Sequence, residues 1–108
     1  MKRKPVLFAL VLFASVLLQG GEMQEGEKLF KAYCWGCHHP TAEAFGPSFQ
    51  TIASKRNQGE IIAMIADPEA TAKRLGYSRN SMPAFDDLSA KEMETLADYI
   101  LSFKENKQ

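Results

Sequence analysis

The amino-acid sequence predicts a small all-α fold of about four to five helices, packed around a large buried group that is not itself protein. Three observations lead there. Apolar residues recur at helical spacing beside recognisable capping signals, and no run alternates with the two-residue period of a strand. The part of the chain that can form a globule is under about 90 residues, a size at which a protein core alone is marginal. It has only two cysteines, Cys34 and Cys37. A bridge across two intervening residues closes almost no loop and so constrains the unfolded chain little.

Residues 1–21 are expected to be a secretory signal peptide and residues 22–108 the single domain. Lys2, Arg3 and Lys4 precede an apolar run from Pro5 to Leu18, broken only by Ser15, and Gln19, Gly20 and Gly21 follow. A basic start, a short apolar stretch and small residues behind it describe an export signal. The run is shorter than the roughly 20 residues a spanning helix needs, which disfavours the competing reading, an uncleaved anchor. No A-x-A site is present, so cleavage is expected near Gly20 or Gly21. No cysteine stands at the junction to take a lipid. The expected location is the periplasm.

The leader holds three of the 13 basic residues and none of the 13 acidic ones, so the neutral chain becomes acidic by three charges once it is removed. The remaining basic residues are scattered, without the dense stripe that nucleic acid requires.

The first helical pattern runs from about Glu22 to Tyr33, with Gly26, Leu29, Phe30 and Tyr33 at helical spacing. A loop from His39 to Pro47 follows the cysteines. Pro47 is expected to open a short helix through Ile52 and Ala53. Ile61, Ile62 and Ile65 share a face of a helix over about Glu60 to Ala66. Asp67 and Pro68 read as N-cap and first position of another helix, ending near Leu75 and Gly76. Residues 77–87 have loop composition. Ser89 and Glu92 form an S-x-x-E capping box, ahead of an apolar stripe of Met93, Leu96, Ala97, Ile100 and Phe103.

The chemistry sits in Cys34-Trp35-Gly36-Cys37-His38. C-x-x-C-H is the attachment motif of c-type haem. Two thiols three residues apart on a helical turn can bond two neighbouring vinyl groups of one porphyrin, and the next residue is carried under the iron. A redox C-x-x-C expects a βαβ setting, whereas a helical pattern precedes this one. A structural zinc needs a second pair of ligands elsewhere. The only other strong donor is His39, and ligands crowded into six consecutive residues cannot surround a metal tetrahedrally. A plain disulfide leaves His38 unexplained. One covalently bound haem c is therefore the expected cofactor.

From about Gln24 to Lys104 the chain resembles a class I cytochrome c of the compact bacterial monohaem type. Gly26 and Phe30 stand before C-W-G-C-H at the family's distances. Gly46-Pro47 is similar to its Gly-Pro pair, and Ser81-Met82-Pro83 to its distal methionine loop. Leu96 and Tyr99 follow at the expected separation. The resemblance implies that the Pro47 carbonyl accepts a hydrogen bond from the proximal histidine, His38. It implies that Met82 completes the iron's ligands, and that the first and last helices cross at Gly26 and Tyr99. Phe30, Leu96 and Ile100 would pack beside that crossing. His39 is an unusual neighbour for the proximal ligand.

His38 and His39 are the only histidines, and adjacent residues cannot ligate both faces of one haem. The sixth ligand is then a sulfur, a lysine, a water or nothing. Met64 and Met93 fall in helical patterns, where methionine usually packs a core. Met82 lies in a loop, and Pro83 biases it toward an extended backbone suited to aiming a thioether. His39 reads as an exposed loop residue, and Trp35 as surface packing.

The expected cofactor-binding residues are Cys34, Cys37, His38, Met82 and Pro47, with His38 and Met82 on the metal and no catalytic residue. With both axial positions filled, the iron has no open place for substrate. The expected function is one-electron transfer, by a monomer, between redox proteins that include a membrane-associated oxidase or reductase, with no nucleic acid involved. Two other readings stay open on the sequence. One is a five-coordinate haem that binds a diatomic gas or acts as a peroxidase. The other is a tethered haem subunit of a larger redox complex.

Overall fold

The computed structural model describes residues 21–105, and the leader expected over residues 1–21 lies outside them except for Gly21. Among the described residues there are five helices and no strand. Helix α1 covers residues 21–33. It is followed by α2 (Phe49–Lys55), α3 (Gln58–Ala66), α4 (Pro68–Arg74) and α5 (Ala90–Leu101). None of these helices is long and apolar enough to cross a membrane.

Each short helix is delimited by side chains that satisfy its free backbone groups. Ser89 and Glu92 form the reciprocal capping box at the start of α5, and Asp67 caps α4 with Pro68 behind it. At the far end of α4 the chain turns at Gly76, whose φ of 88° is open to glycine at little cost. Two starts differ from expectation. Helix α2 begins at Phe49, with Ser48 rather than a residue before Pro47 as its cap. The reason is a competition for one donor: Thr51 N–H goes to Ser48 Oγ at 3.1 Å and not to the Pro47 carbonyl, which is engaged elsewhere. Helix α3 begins at Gln58, ahead of Glu60, because Asn57 and Glu60 make a second capping box.

Helices α1 and α5 cross at Gly26 and Tyr99. A Cβ on Gly26 would lie 2.5 Å from Tyr99 Cβ and 3.2 Å from the Thr95 carbonyl oxygen. Only glycine lets the backbones meet there. Beside the crossing, Phe30, Phe49, Leu96, Ala97 and Ile100 are buried. Phe30 meets Phe49 edge-on at 4.9 Å between ring centroids, and Tyr99 packs against Phe103 at 5.2 Å. Each fully buried large apolar side chain here contributes roughly 1.5–3 kcal/mol. Buried Ile61 and Ile65 of α3 join the same cluster. Helix α4 is tied beneath α3 by buried Thr71, whose hydroxyl donates to the Ala63 carbonyl at 3.0 Å.

Candidate cofactor site

A cavity of about 600 Å³ opens between the end of α1, helices α2 to α4 and the segment that leads to α5. That volume lies within the roughly 300–1,000 Å³ of small-molecule and cofactor clefts. Phe49, Ile52, Ile61, Ile65 and Ile100 give it apolar walls.

Cys34, Cys37 and His38 reach this cavity from the end of α1. The helix does not stop abruptly there. Cys34 N–H still donates to the Phe30 carbonyl at 2.8 Å, and the N–H groups of Cys37 and His38 both donate to the Cys34 carbonyl, at 3.1 and 2.9 Å. This tight turn presents both sulfurs and the imidazole together. The two sulfurs are not joined to each other; Cys34 is buried and Cys37 exposed. Burial pushes the Cys34 thiol up to about 12.

The His38 ring is held on three sides. Its Nδ1 is 2.7 Å from the Pro47 carbonyl oxygen, so Nδ1 carries the proton and donates. That leaves the Nε2 lone pair free for a metal. The Phe49 ring stacks on the imidazole at 5.8 Å between centroids. Gly46 closes the third side, where a Cβ would come within 2.5 Å of His38 Cε1. The loop bearing Gly46 and Pro47 is folded back on the turn by Gly46 N–H, which donates to the Cys37 carbonyl at 2.7 Å.

Glu43 fastens the same loop to α2. Its carboxylate accepts from the Thr51 hydroxyl at 2.8 Å and from Ser48 N–H at 2.6 Å. These bonds, the Thr51 one first, hold its carboxyl below the usual carboxylate range. His39 is exposed, as expected, and it also has a structural task. Its Nδ1 accepts from the N–H groups of Thr41 and Ala42, at 3.1 and 3.0 Å. Exposed Trp35 packs its ring edge-on to Phe30 at 5.5 Å.

Met82, half-buried, also lines the cavity, together with Pro83. Asn80 brackets its backbone: the Asn80 side-chain oxygen accepts from Met82 N–H, and its nitrogen donates to the Met82 carbonyl, both at 3.1 Å. Met93 is buried in the core. Met64, assigned to core packing from its helical setting, instead stands half-buried on the cavity wall beside Ile61 and Ile65. The apolar face of α3 is broader than its three isoleucines, since part of it faces the cavity rather than another helix.

The five residues expected at the site thus open onto one cavity. Sequence reasoning missed Phe49, Glu43 and Asn80 in this role. Only Asn80 left a local signal, an Asn two residues before the residue whose backbone it can bond.

The donor set fits a c-type haem: two thiols and an imidazole on one turn, a thioether and apolar walls around the same volume. Comparisons with known proteins point the same way. A family model described as cytochrome C oxidase, cbb3-type, subunit III matches residues 21–100. Cytochrome c6 of Cyanidium caldarium is 28% identical over 86 residues, which cover 80% of this chain and 75% of that protein. Cytochrome c6 of Gracilaria tenuistipitata var. liui is 27% identical over 86 residues, 79% and 76% of the two chains. Among solved structures, a cytochrome c from Rhodothermus marinus superposes with a TM-score of 0.63 at 21% identity, covering 82% of this chain and 81% of that one. An engineered cytochrome c from the same organism, bound to a carbene intermediate, gives a TM-score of 0.64 at 25% identity, covering 81% and 80%.

Proposed function

The chain belongs to the cytochrome c family described as cytochrome C oxidase, cbb3-type, subunit III, and from that membership we propose that Cys34 and Cys37 hold its haem through thioether bonds, with His38 Nε2 and the Met82 sulfur as the iron's ligands. The protein is a small class I cytochrome c, an electron-transfer haem protein with covalently bound c-type haem and redox proteins as its partners. One observation carries the assignment of residues: the two thiols, the imidazole and the Met82 side chain share a single cavity.

When bound, the haem supplies a one-electron change of oxidation state at its iron. The chain's own residues set the terms of that change. Pro47 keeps the His38 proton on Nδ1, which fixes the ring's tautomer and orientation and strengthens Nε2 as a donor. A Met82 thioether is a soft donor that favours the ferrous state, and the His/Met pair raises the potential. Phe49, Ile61 and Ile65 exclude water, so little has to rearrange when the charge changes.

The protein in this reading is a monomeric periplasmic carrier without turnover of its own. The sequence of the expected leader, residues 1–21, supports export. Covalent attachment is tested by extraction with acidic acetone. The colour is expected to stay on the wild-type protein, and Cys34→Ala with Cys37→Ala is expected to abolish stable holoprotein. Complete extraction from the wild type would refute the thioether assignment.

A further inference from the structure

We propose that Arg56 and Tyr77 form a latch that holds the segment bearing Met82 against the helical frame, and so sets how often the iron's distal side opens. The proposal rests on Met82 being the ligand. The segment has few other ties. Residues 78–84 make no backbone-to-backbone hydrogen bond among the described residues. The Asn80 bracket is internal to the segment and fixes the shape of the Met82 turn, not its position. At the far end, Phe85 N–H donates to the Ile65 carbonyl at 2.9 Å. At the near end, just past Gly76, Tyr77 N–H donates to the Ala72 carbonyl at 2.9 Å, which leaves its side chain as the tie to the corner between α2 and α3.

The Tyr77 hydroxyl accepts from Arg56 Nη2 at 2.8 Å, and the guanidinium carbon is 5.5 Å from the ring centroid. No other side-chain hydrogen bond joins residues 77–84 to a helix-bearing part of the molecule, among the described residues. Arg56 is well placed as the fixed partner. Its backbone ends α2, with its N–H donating to the Ile52 carbonyl, and the next residue caps α3. Its side chain is 23% exposed and its other terminal nitrogen lies 3.9 Å from Glu60 Oε2. Glu60 is itself held by the Asn57 capping box, where Oε1 accepts from Asn57 N–H at 3.0 Å. Arg56, Glu60, Tyr77 and Met82 all border the one cavity. A rigid two-helix corner therefore grips a strand of loop just five residues before the thioether.

A hydrogen bond from a charged donor, half in solvent, shifts a local opening equilibrium by roughly tenfold. A ligand that binds only the open state reads that shift directly, since its apparent affinity scales with the open fraction. Carbon monoxide binding to ferrous holoprotein is such a probe. Tyr77→Phe keeps the ring and removes only the hydroxyl; Arg56→Met removes the donor. Each is expected to raise apparent carbon monoxide affinity about tenfold, while the helix melting midpoint stays near that of the wild type. The two together are expected to give no more than Arg56→Met alone, not the product of the two gains, because both remove the same hydrogen bond. In a Met82→Ala background neither is expected to add anything. An effect of Met82→Ala with none from Tyr77→Phe would overturn the latch alone. So would a gain from Tyr77→Phe that persists undiminished without Met82, since it would report access to the cavity instead of ligand retention. A Met82→Ala variant that binds carbon monoxide no better than wild type would defeat the ligand reading, and the latch with it.

Discussion

The two sides of the cofactor cavity are built to different standards of rigidity. On the Cys34–Pro47 side, the turn continues α1 through backbone bonds to the Phe30 and Cys34 carbonyls. Gly46 is bonded back to Cys37, and Phe49 and Gln50 donate to the carbonyls of His39 and Pro40. Side chains add His38 to Pro47 and Glu43 to Ser48 and Thr51. On the other side, residues 78–84 rely on Asn80, on Tyr77 and on the anchoring of Phe85. Segments with few buried contacts and few backbone bonds open first. In the proposed ligand arrangement, the geometry on the His38 side is imposed by many contacts of the chain, whereas the Met82 side rests on a few that single substitutions can remove.

The comparison breaks most readily on the rigid side. Gly46→Ala puts a methyl 2.5 Å from His38 Cε1 and 2.9 Å from Nδ1, against a ring already held by Phe49 and the Pro47 carbonyl. Overpacking of this kind costs roughly 1–3 kcal/mol. A lowered denaturation midpoint of the holoprotein is the expected result. An unchanged midpoint would show that the imidazole has room to move, and that this side is no stiffer than the other.

A smaller, pH-dependent effect is expected at Glu43. Its folded carboxyl titrates below the ordinary 4.5, chiefly through the Thr51 hydroxyl and then Ser48 N–H. A depressed carboxyl contributes stability that is present above its unfolded value and is lost as pH falls through the folded one. Glu43→Gln is expected to lower the urea midpoint slightly at neutral pH, with the gap to wild type closing on acidification below 4.5. A gap that stays constant with pH would mean that the ionised carboxylate is not what fastens the loop.

What the sequence makes legible follows the range of the interactions. The Ser89 and Glu92 box and the Asp67-Pro68 start join residues at most three positions apart and are readable. Asn57 and Glu60 make the same pattern, but Gly59 inside the first turn weakens the helical signal around it. Pro47 looks like a first helical residue because proline often is one, yet Ser48 beside it offers the cap. In the site, C-x-x-C-H is contiguous and speaks for itself. The roles expected of Gly46 and Pro47 rest on the family resemblance, and that of Met82 on the resemblance together with its loop setting before Pro83. The Phe49 stack on His38 and the Arg56–Tyr77 bond were not readable. They join residues up to 21 positions apart, and nothing local marks either partner. Met64 on the cavity wall is a related case: helical periodicity reports which face is apolar, not whether that face meets protein or a cofactor.

The most direct test of the account is the reduction potential and ferric absorption spectrum of the Met82→Ala holoprotein, with Met64→Leu measured beside it, since both methionines border the cavity. If Met82 is the soft ligand on an otherwise rigid site, its removal is expected to lower the potential, turn the ferric spectrum toward high spin and let ferrous protein take up carbon monoxide. Met64→Leu nearly conserves volume and is expected to leave all three close to wild type. A potential and spectrum unchanged in Met82→Ala, or lost instead in Met64→Leu, would contradict the assignment and move the sixth ligand away from the 77–85 segment.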